Sequence, residues 1–206
     1  MTINDNIRNL LFDLGGVIMD IKRENCVAAF EQLGFADVDR YLNDYEQRGF
    51  FRDIEAGQIT PKQFYAEVHQ HVPATVTDAQ IAEAFNKFLI GIPEDRLYLI
   101  RRLREHHRVY MLSNTNPIMW EGKIRSEFAK LGQDVNYYFD GTVTSFEAGV
   151  CKPDPRIFEF TVKKLGINPA ETLFFDDSQA NCDAAAALGF HTAHVTTDEG
   201  LLAWLS

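Results

Sequence analysis

Leu10-Leu11-Phe12-Asp13-Leu14-Gly15-Gly16-Val17-Ile18 reads as a buried strand that runs into a glycine turn, with a carboxylate where the strand ends. Open α/β sheets bind their ligands outside the carboxyl ends of their strands, and a carboxylate without a partner is costly to bury there. Asp13 is therefore a candidate nucleophile or metal ligand.

Beyond this strand, short apolar runs alternate with stretches of helical spacing. Strands are expected at residues 109–113, 138–144, 172–176 and 191–195, and helices at 96–106, 120–131, 154–165 and 181–188. Gly166 and Gly189 stand where the last two helices would stop, and Pro155 sits just inside a helix start, where its missing N–H costs little. Strands alternating with helices of this length indicate parallel pairing in a three-layer, Rossmann-like α/β core.

Residues 21–92 break the alternation. They carry apolar residues at helical spacing (25–33, 38–48, 61–71 and 78–89) and almost no strand signal, with Thr60-Pro61 and Thr77-Asp78 as N-terminal caps. The expected division is a core of residues 1–20 and 93–206 with a helical cap domain, 21–92, inserted after the first strand. An insertion at that point suggests a lid over the site. The stretch holding Arg48, Phe50, Phe51, Arg52 and Glu55 reads as rich in turns and aromatics. It can reach down onto a substrate, with an Arg or Glu for sugar hydroxyls, and its phenylalanines are equally well explained as cap core.

The 206 residues suffice for one good core, or a core with a smaller attachment. A net charge of −10 without a Lys/Arg-rich block argues against nucleic acid or an anionic membrane as partner. The same charge repels phosphate at long range, so a phosphate site here needs local positive charge from a metal or a well-placed lysine. Cys26, Cys151 and Cys182 form no CxxC pair, which suits reduced thiols. The first residues are polar, and no apolar run approaches the roughly 20 residues that span a bilayer. A cytoplasmic protein is expected.

Four short segments fall at the ends of the expected strands: Asp13-Leu14-Gly15-Gly16-Val17, Ser113-Asn114-Thr115-Asn116, Cys151-Lys152-Pro153 and Phe174-Phe175-Asp176-Asp177-Ser178. Each has an ordinary explanation as a turn, a helix cap or a solvated side chain. The Asp176-Asp177 pair is the hardest to explain that way, because adjacent carboxylates at a buried strand end repel unless a cation sits between them. Asn181, four residues after Asp177, can support that pair.

In this order and on these elements, the four segments resemble the haloacid dehalogenase superfamily of phosphatases and related hydrolases, over essentially the whole chain. The wording of the motifs (FDLGGVI, LSNTN, KPDPRIF, FFDDS) is similar to that of the bacterial sugar-phosphate phosphatases, the α-D-glucose-1-phosphate phosphatase branch among them. The resemblance implies a Mg²⁺-dependent phosphatase acting on a small phosphorylated metabolite, with Asp13 as nucleophile forming an aspartyl-phosphate. Asp13, the Gly15 carbonyl and Asp177, flanked by Asp176, would hold the metal. Ser113, Asn114 and Lys152 would hold the phosphate, with Lys152 also stabilising charge on Asp13.

One position departs from the pattern. In most phosphatases of the superfamily the second residue after the nucleophile is an aspartate that protonates the departing alcohol and later activates water. Here it is Gly15, and general acid–base help is worth roughly 10²–10⁴-fold. Three readings follow: a phosphatase whose leaving group needs less protonation, such as an anomeric hydroxyl; a haloacid dehalogenase, against which Asp176-Asp177 argues; or a non-catalytic, regulatory protein that binds a phosphorylated ligand or a protein partner. Asp20 is the nearest acid in sequence and is read as a charge favouring the start of the following helix.

Overall fold

The computed structural model describes residues 6–42 and 47–196. The chain opens with β1 (Asn9–Phe12), every residue of which is buried. It then forms the two-residue strand β2 (Asp20–Ile21) and four helices, α1 (Arg23–Gln32), α2 (Gly49–Glu55), α3 (Pro61–Val68) and α4 (Asp78–Asn86). The return path is β3 (Leu89–Gly91), antiparallel to β2, followed by α5 (Glu94–Leu103).

The remainder is β4 (Arg108–Ser113), α6 (Pro117–Met119), α7 (Arg125–Ala129), α8 (Val135–Tyr138), β5 (Gly141–Thr144) and α9 (Ser145–Ala148), then α10 (Pro155–Leu165), β6 (Thr172–Asp176), α11 (Gln179–Ala187) and β7 (His191–His194). A π-helical turn, Trp120–Ile124, joins α6 to α7.

The main sheet has five strands in the order β5-β4-β1-β6-β7, all parallel. From β1 the chain builds outward to β4 and β5, then crosses back to add β6 and β7 on the other side. β1 is thus the point where the strand order reverses, and the crevice outside its carboxyl end is where such sheets bind ligands. Alternate residues serve opposite faces. Leu10, Phe12, Met111 and Phe175 belong to one apolar cluster, and Leu11, Leu112, Phe174 and Phe158 to the other. Both faces are covered, so the strands read as continuous apolar runs rather than alternating ones.

The inserted segment packs around phenylalanine. Phe51 lies edge-on to Phe30, Phe64 and Phe85, at centroid distances of 5.5, 5.0 and 5.2 Å, the geometry that aromatic quadrupoles favour. Phe51 is therefore core, and Phe50 packs against that core half-buried. Thr60 and Thr77 each form a capping box, accepting from the N–H of Gln63 and of Gln80 while the glutamine reaches back. The insertion's core is continuous with one face of the sheet.

Several expected elements end differently. The helix expected at 38–48 contains a 3-10 turn, Val38–Arg40, and its residues 43–46 lie outside the described part of the chain. Residues 49–55, read as turn-rich, form α2, with Phe51, Ile54 and Glu55 on its buried face at i, i+3, i+4 spacing. The helix expected to run through residue 89 stops at Asn86, because the next residues pair with β2. The strand expected from residue 138 begins at Gly141 instead. Asp134 accepts from the N–H groups of Asn136 and Tyr137 and starts α8 in its place. Among the described residues no helix is long and apolar enough to cross a membrane.

Candidate active site

Three strand ends of the main sheet converge. Asp13 follows β1, Ser113 closes β4 and Asp176 closes β6. The Asp13 N–H donates to the Phe175 carbonyl at 2.8 Å, and the rings of Phe12 and Phe175 stack with centroids 4.7 Å apart. These contacts fix the β1 and β6 ends side by side.

Lys152 comes to the same point from the loop after α9. Its Nζ lies 2.8 Å from Asp13 Oδ1 and 2.7 Å from Asp176 Oδ2, and it also donates to the Leu112 carbonyl at 3.2 Å. The lysine is 3% exposed and Asp176 wholly buried, so this is an interior ion triad rather than a surface pair. Such a charge is tolerated only when fully partnered. Burial works against the Lys152 ammonium, but the carboxylates of Asp13 and Asp176 outweigh it and hold its pKa above the usual lysine value.

The acid side carries the excess. Asp13, Asp176 and Asp177 each bring a carboxylate oxygen within 4.8 Å of the others. Burial pushes the Asp13 carboxyl up to about 8, with Lys152 opposing and the charges of Asp176 and Asp177 adding to the rise. Burial and then Asp176 likewise push Asp177 up to about 6. One ammonium does not balance this set. Clustered hard oxygen donors fit a divalent cation such as Mg²⁺, whose charge reverses the direction of those shifts.

The neighbouring backbone is shaped to the same end. Gly16 has a φ of +73°, and a Cβ there would lie 2.2 Å from Asp177 Oδ2. Gly15 is different: it has no left-handed φ, and a Cβ would meet Ile21 at an ordinary 3.5 Å. A side chain at position 15 is therefore sterically possible, and its absence is a chemical feature of the chain rather than a packing requirement.

The other expected residues divide by what they touch. Asp176 is saturated: Oδ1 accepts from the Ser178 N–H and from Asn181 Nδ2, both at 2.9 Å, while Oδ2 takes Lys152. Asp177 has no comparable set among the described residues and lines the pocket. Asn114 spends its amide on Lys152, accepting from its N–H at 2.8 Å and donating to its carbonyl at 3.0 Å. Ser113 is 2% exposed and lines the pocket. Asp20 is ion-paired to Arg96 at 2.8 Å, so a salt bridge replaces the helix-start role expected of it.

Two features escape the sequence reading. Thr115 lines the pocket with its hydroxyl buried and unpartnered among the described residues, while its backbone N–H and carbonyl are both tied to Ser145 Oγ at 3.0 Å. Gly16 reads as a turn residue until its approach to Asp177 is seen. Glu55, offered by the sequence with Arg48 and Arg52 as a side chain for substrate hydroxyls, lines the pocket from α2. The visible signal for it is an acid in register with Phe51 and Ile54 on an apolar helix face.

The pocket has a volume of about 730 Å³ including its open mouth. Its floor is polar (Asp13, Ser113, Lys152, Asp177), and its upper wall is apolar, with Ile21, Phe85, Phe88 and Leu89 from the insertion and its connecting strands.

Comparisons with known proteins bear on this geometry. The haloacid dehalogenase-like hydrolase family matches residues 7–189. A D-ribitol-5-phosphate phosphatase of Bacteroides thetaiotaomicron is 37% identical over 186 residues, covering 90% of each chain. A crystal structure of a haloacid dehalogenase family enzyme from the same organism, in complex with magnesium and inorganic phosphate, superposes with a TM-score of 0.87 at 39% identity, over 93% of this chain and 95% of that one. A predicted haloacid dehalogenase-like family hydrolase from Porphyromonas gingivalis superposes with a TM-score of 0.84 at 34% identity, over 91% of this chain and 90% of that one. A buried Asp–Lys–Asp triad at the switch point of a parallel sheet and relatives matched along nine-tenths of their length agree: the chain belongs to the haloacid dehalogenase-like hydrolases.

Proposed function

We propose that this hydrolase is a Mg²⁺-dependent phosphatase of small phosphorylated metabolites, acting through an aspartyl-phosphate on Asp13, with a phosphorylated sugar or polyol as substrate. The observation that carries the proposal is the ion pair between Asp13 and buried Lys152 at the pocket floor. It supports a carboxylate that can attack with a fixed cation beside it. Lys152 and the Leu14 N–H both engage Asp13 Oδ1, which leaves Oδ2 as the attacking oxygen.

Phosphoryl transfer asks mainly for positioning and charge stabilisation. Ser113, the unpartnered Thr115 hydroxyl and the Lys152 ammonium can hold the non-transferring oxygens. Asp13, the Gly15 carbonyl and Asp177 would hold Mg²⁺, with Asp176 keeping Lys152 and the turn in place. Bound there, the metal supplies positive charge against the phosphate. Residues 21–92 act as the cap: its apolar wall excludes water from the reacting centre and selects the substrate. The similarity to a D-ribitol-5-phosphate phosphatase favours a primary alcohol as leaving group over an anomeric one.

The test is phosphate release from a panel of sugar and polyol phosphates, with and without Mg²⁺, for the wild type and Asp13→Asn. Metal-dependent release that disappears in the variant is expected. Absence of release from every substrate by the folded, Mg²⁺-binding protein would replace this reading with a binding role.

A further inference from the structure

A primary alkoxide is a poor leaving group and needs a proton as the P–O bond breaks. Gly15 has none to give. Among the described residues that line the pocket, the carboxyls are Asp13, Asp177 and Glu55. Asp13 is the nucleophile and Asp177 belongs to the metal set, so one carboxyl is left over.

We propose that Glu55, carried by the cap on α2, is the general acid and base of this enzyme and takes over the duty that position 15 lacks. The assignment rests on the phosphatase reading above. In the first step an Asp13 oxygen bonds to phosphorus and the P–O bond to the substrate breaks. The electron pair goes to the leaving oxygen, which takes the Glu55 proton and departs as an alcohol. In the second step water bonds to phosphorus and gives its proton to the Glu55 carboxylate. The bond between phosphorus and Asp13 then breaks, its electron pair returns to the carboxylate, and inorganic phosphate leaves. Both residues end as they began.

Geometry supports this in three ways. Glu55 is 9% exposed on the same helix face as Phe51 and Ile54, so its side chain is packed into the pocket lining rather than extended into solvent. The residues just after it are seated on the core. Gly57 packs so closely on the Phe146 carbonyl that a Cβ would lie 2.3 Å from it, and Gln58 Nε2 donates to the Gly149 carbonyl at 3.3 Å. That loop leads directly into Cys151 and Lys152, so cap acid and core cation share one anchor. The groups facing Glu55 are Arg52 on its own helix and the Cys151 thiol of the core loop, and Asp13, Lys152 and Asp177 line the same pocket. Burial pushes the Glu55 carboxyl up to about 8, against the pull of the Arg52 guanidinium, and so keeps a proton on it at neutral pH.

The experiment compares Glu55→Gln with the wild type, in Mg²⁺, on a polyol phosphate and on p-nitrophenyl phosphate, whose phenolate leaves without a proton. The expected result is a fall in kcat/KM of about 10²–10⁴-fold on the polyol phosphate and of less than about threefold on the aryl phosphate. The variant should also show a nitrophenolate burst, because hydrolysis of the aspartyl-phosphate slows. Equal losses on both substrates, or no loss on either, would overturn the assignment while leaving the phosphatase reading intact. A wild type inactive on both would overturn the reading itself. Should Glu55→Gln fail to fold, the wild-type pH profile decides: kcat/KM for the polyol phosphate should fall above pH about 8 while that for the aryl phosphate does not, and parallel profiles would refute it.

Discussion

Asn114 holds Lys152 by its main chain, accepting from its N–H at 2.8 Å and donating to its carbonyl at 3.0 Å. A side chain at the end of β4 thereby sets the height at which the lysine enters between Asp13 and Asp176. Asn114→Ala leaves the charges intact and frees the loop. It should cost about 10²-fold in kcat, the scale of a misplaced catalytic group, while the fold survives. Steady-state kinetics beside a thermal melt will check this; wild-type kcat would mean that the two carboxylates alone position Lys152.

Gly15 and Gly16 should respond differently to the same substitution. At Gly16 a methyl group meets Asp177 Oδ2 at 2.2 Å on a backbone with φ +73°, so Gly16→Ala should lose Mg²⁺ affinity and destabilise by about 1–3 kcal/mol. Gly15→Ala meets Ile21 at 3.5 Å and should change stability by less than about 1 kcal/mol. Isothermal titration with Mg²⁺ and chemical denaturation separate the two.

Glu55 makes a second, non-kinetic prediction. Its carboxyl sits at about 8 against a reference of 4.5. The folded state thus keeps a proton that the unfolded chain releases once the pH passes the reference value. Stability from this group is fully present below pH about 4.5 and is lost as the pH rises toward 8. Glu55→Gln removes the dependence. Its stability relative to wild type should climb across that window with a slope approaching about 1.4 kcal/mol per pH unit, and a flat difference would show that the carboxyl ionises freely.

Asp140 is the opposite case. Burial acts to raise its pKa, but hydrogen bonds from Arg104, from the Val109 N–H and from Arg108 outweigh it and hold the carboxyl below the usual range. Its contribution is present above the unfolded pKa and is lost as the pH falls through the folded one. Asp140→Asn should cost about 1–2 kcal/mol at neutral pH, with exposed Arg108 contributing least. The cost should vanish in acid, which denaturant melts at several pH values will test.

Local pattern carries much of this protein. β1 and β6 are legible as apolar runs ending in aspartate, and Thr60 and Thr77 as helix starts, because strand burial and capping depend on neighbours within a few residues. Asp13, Lys152 and Asp177 are legible only as a set, from the resemblance that the four segments carry together.

What residue order does not carry is partnership across the sheet. The β2–β3 pairing exists because the two ends of the insertion meet, joining residues some 70 apart. Asp20 turns to Arg96 and Asn114 to Lys152 only once the crossovers have closed. Glu55 is one of several candidate contacts in its stretch until α2 lays its apolar face on the insertion's core and buries that carboxyl in the pocket lining. Periodicity and capping follow from bonded geometry and are written in order along the chain. Burial, pKa and hydrogen-bond choice follow from which distant surfaces exclude water from one another, and they are settled when the sheet and cap come together.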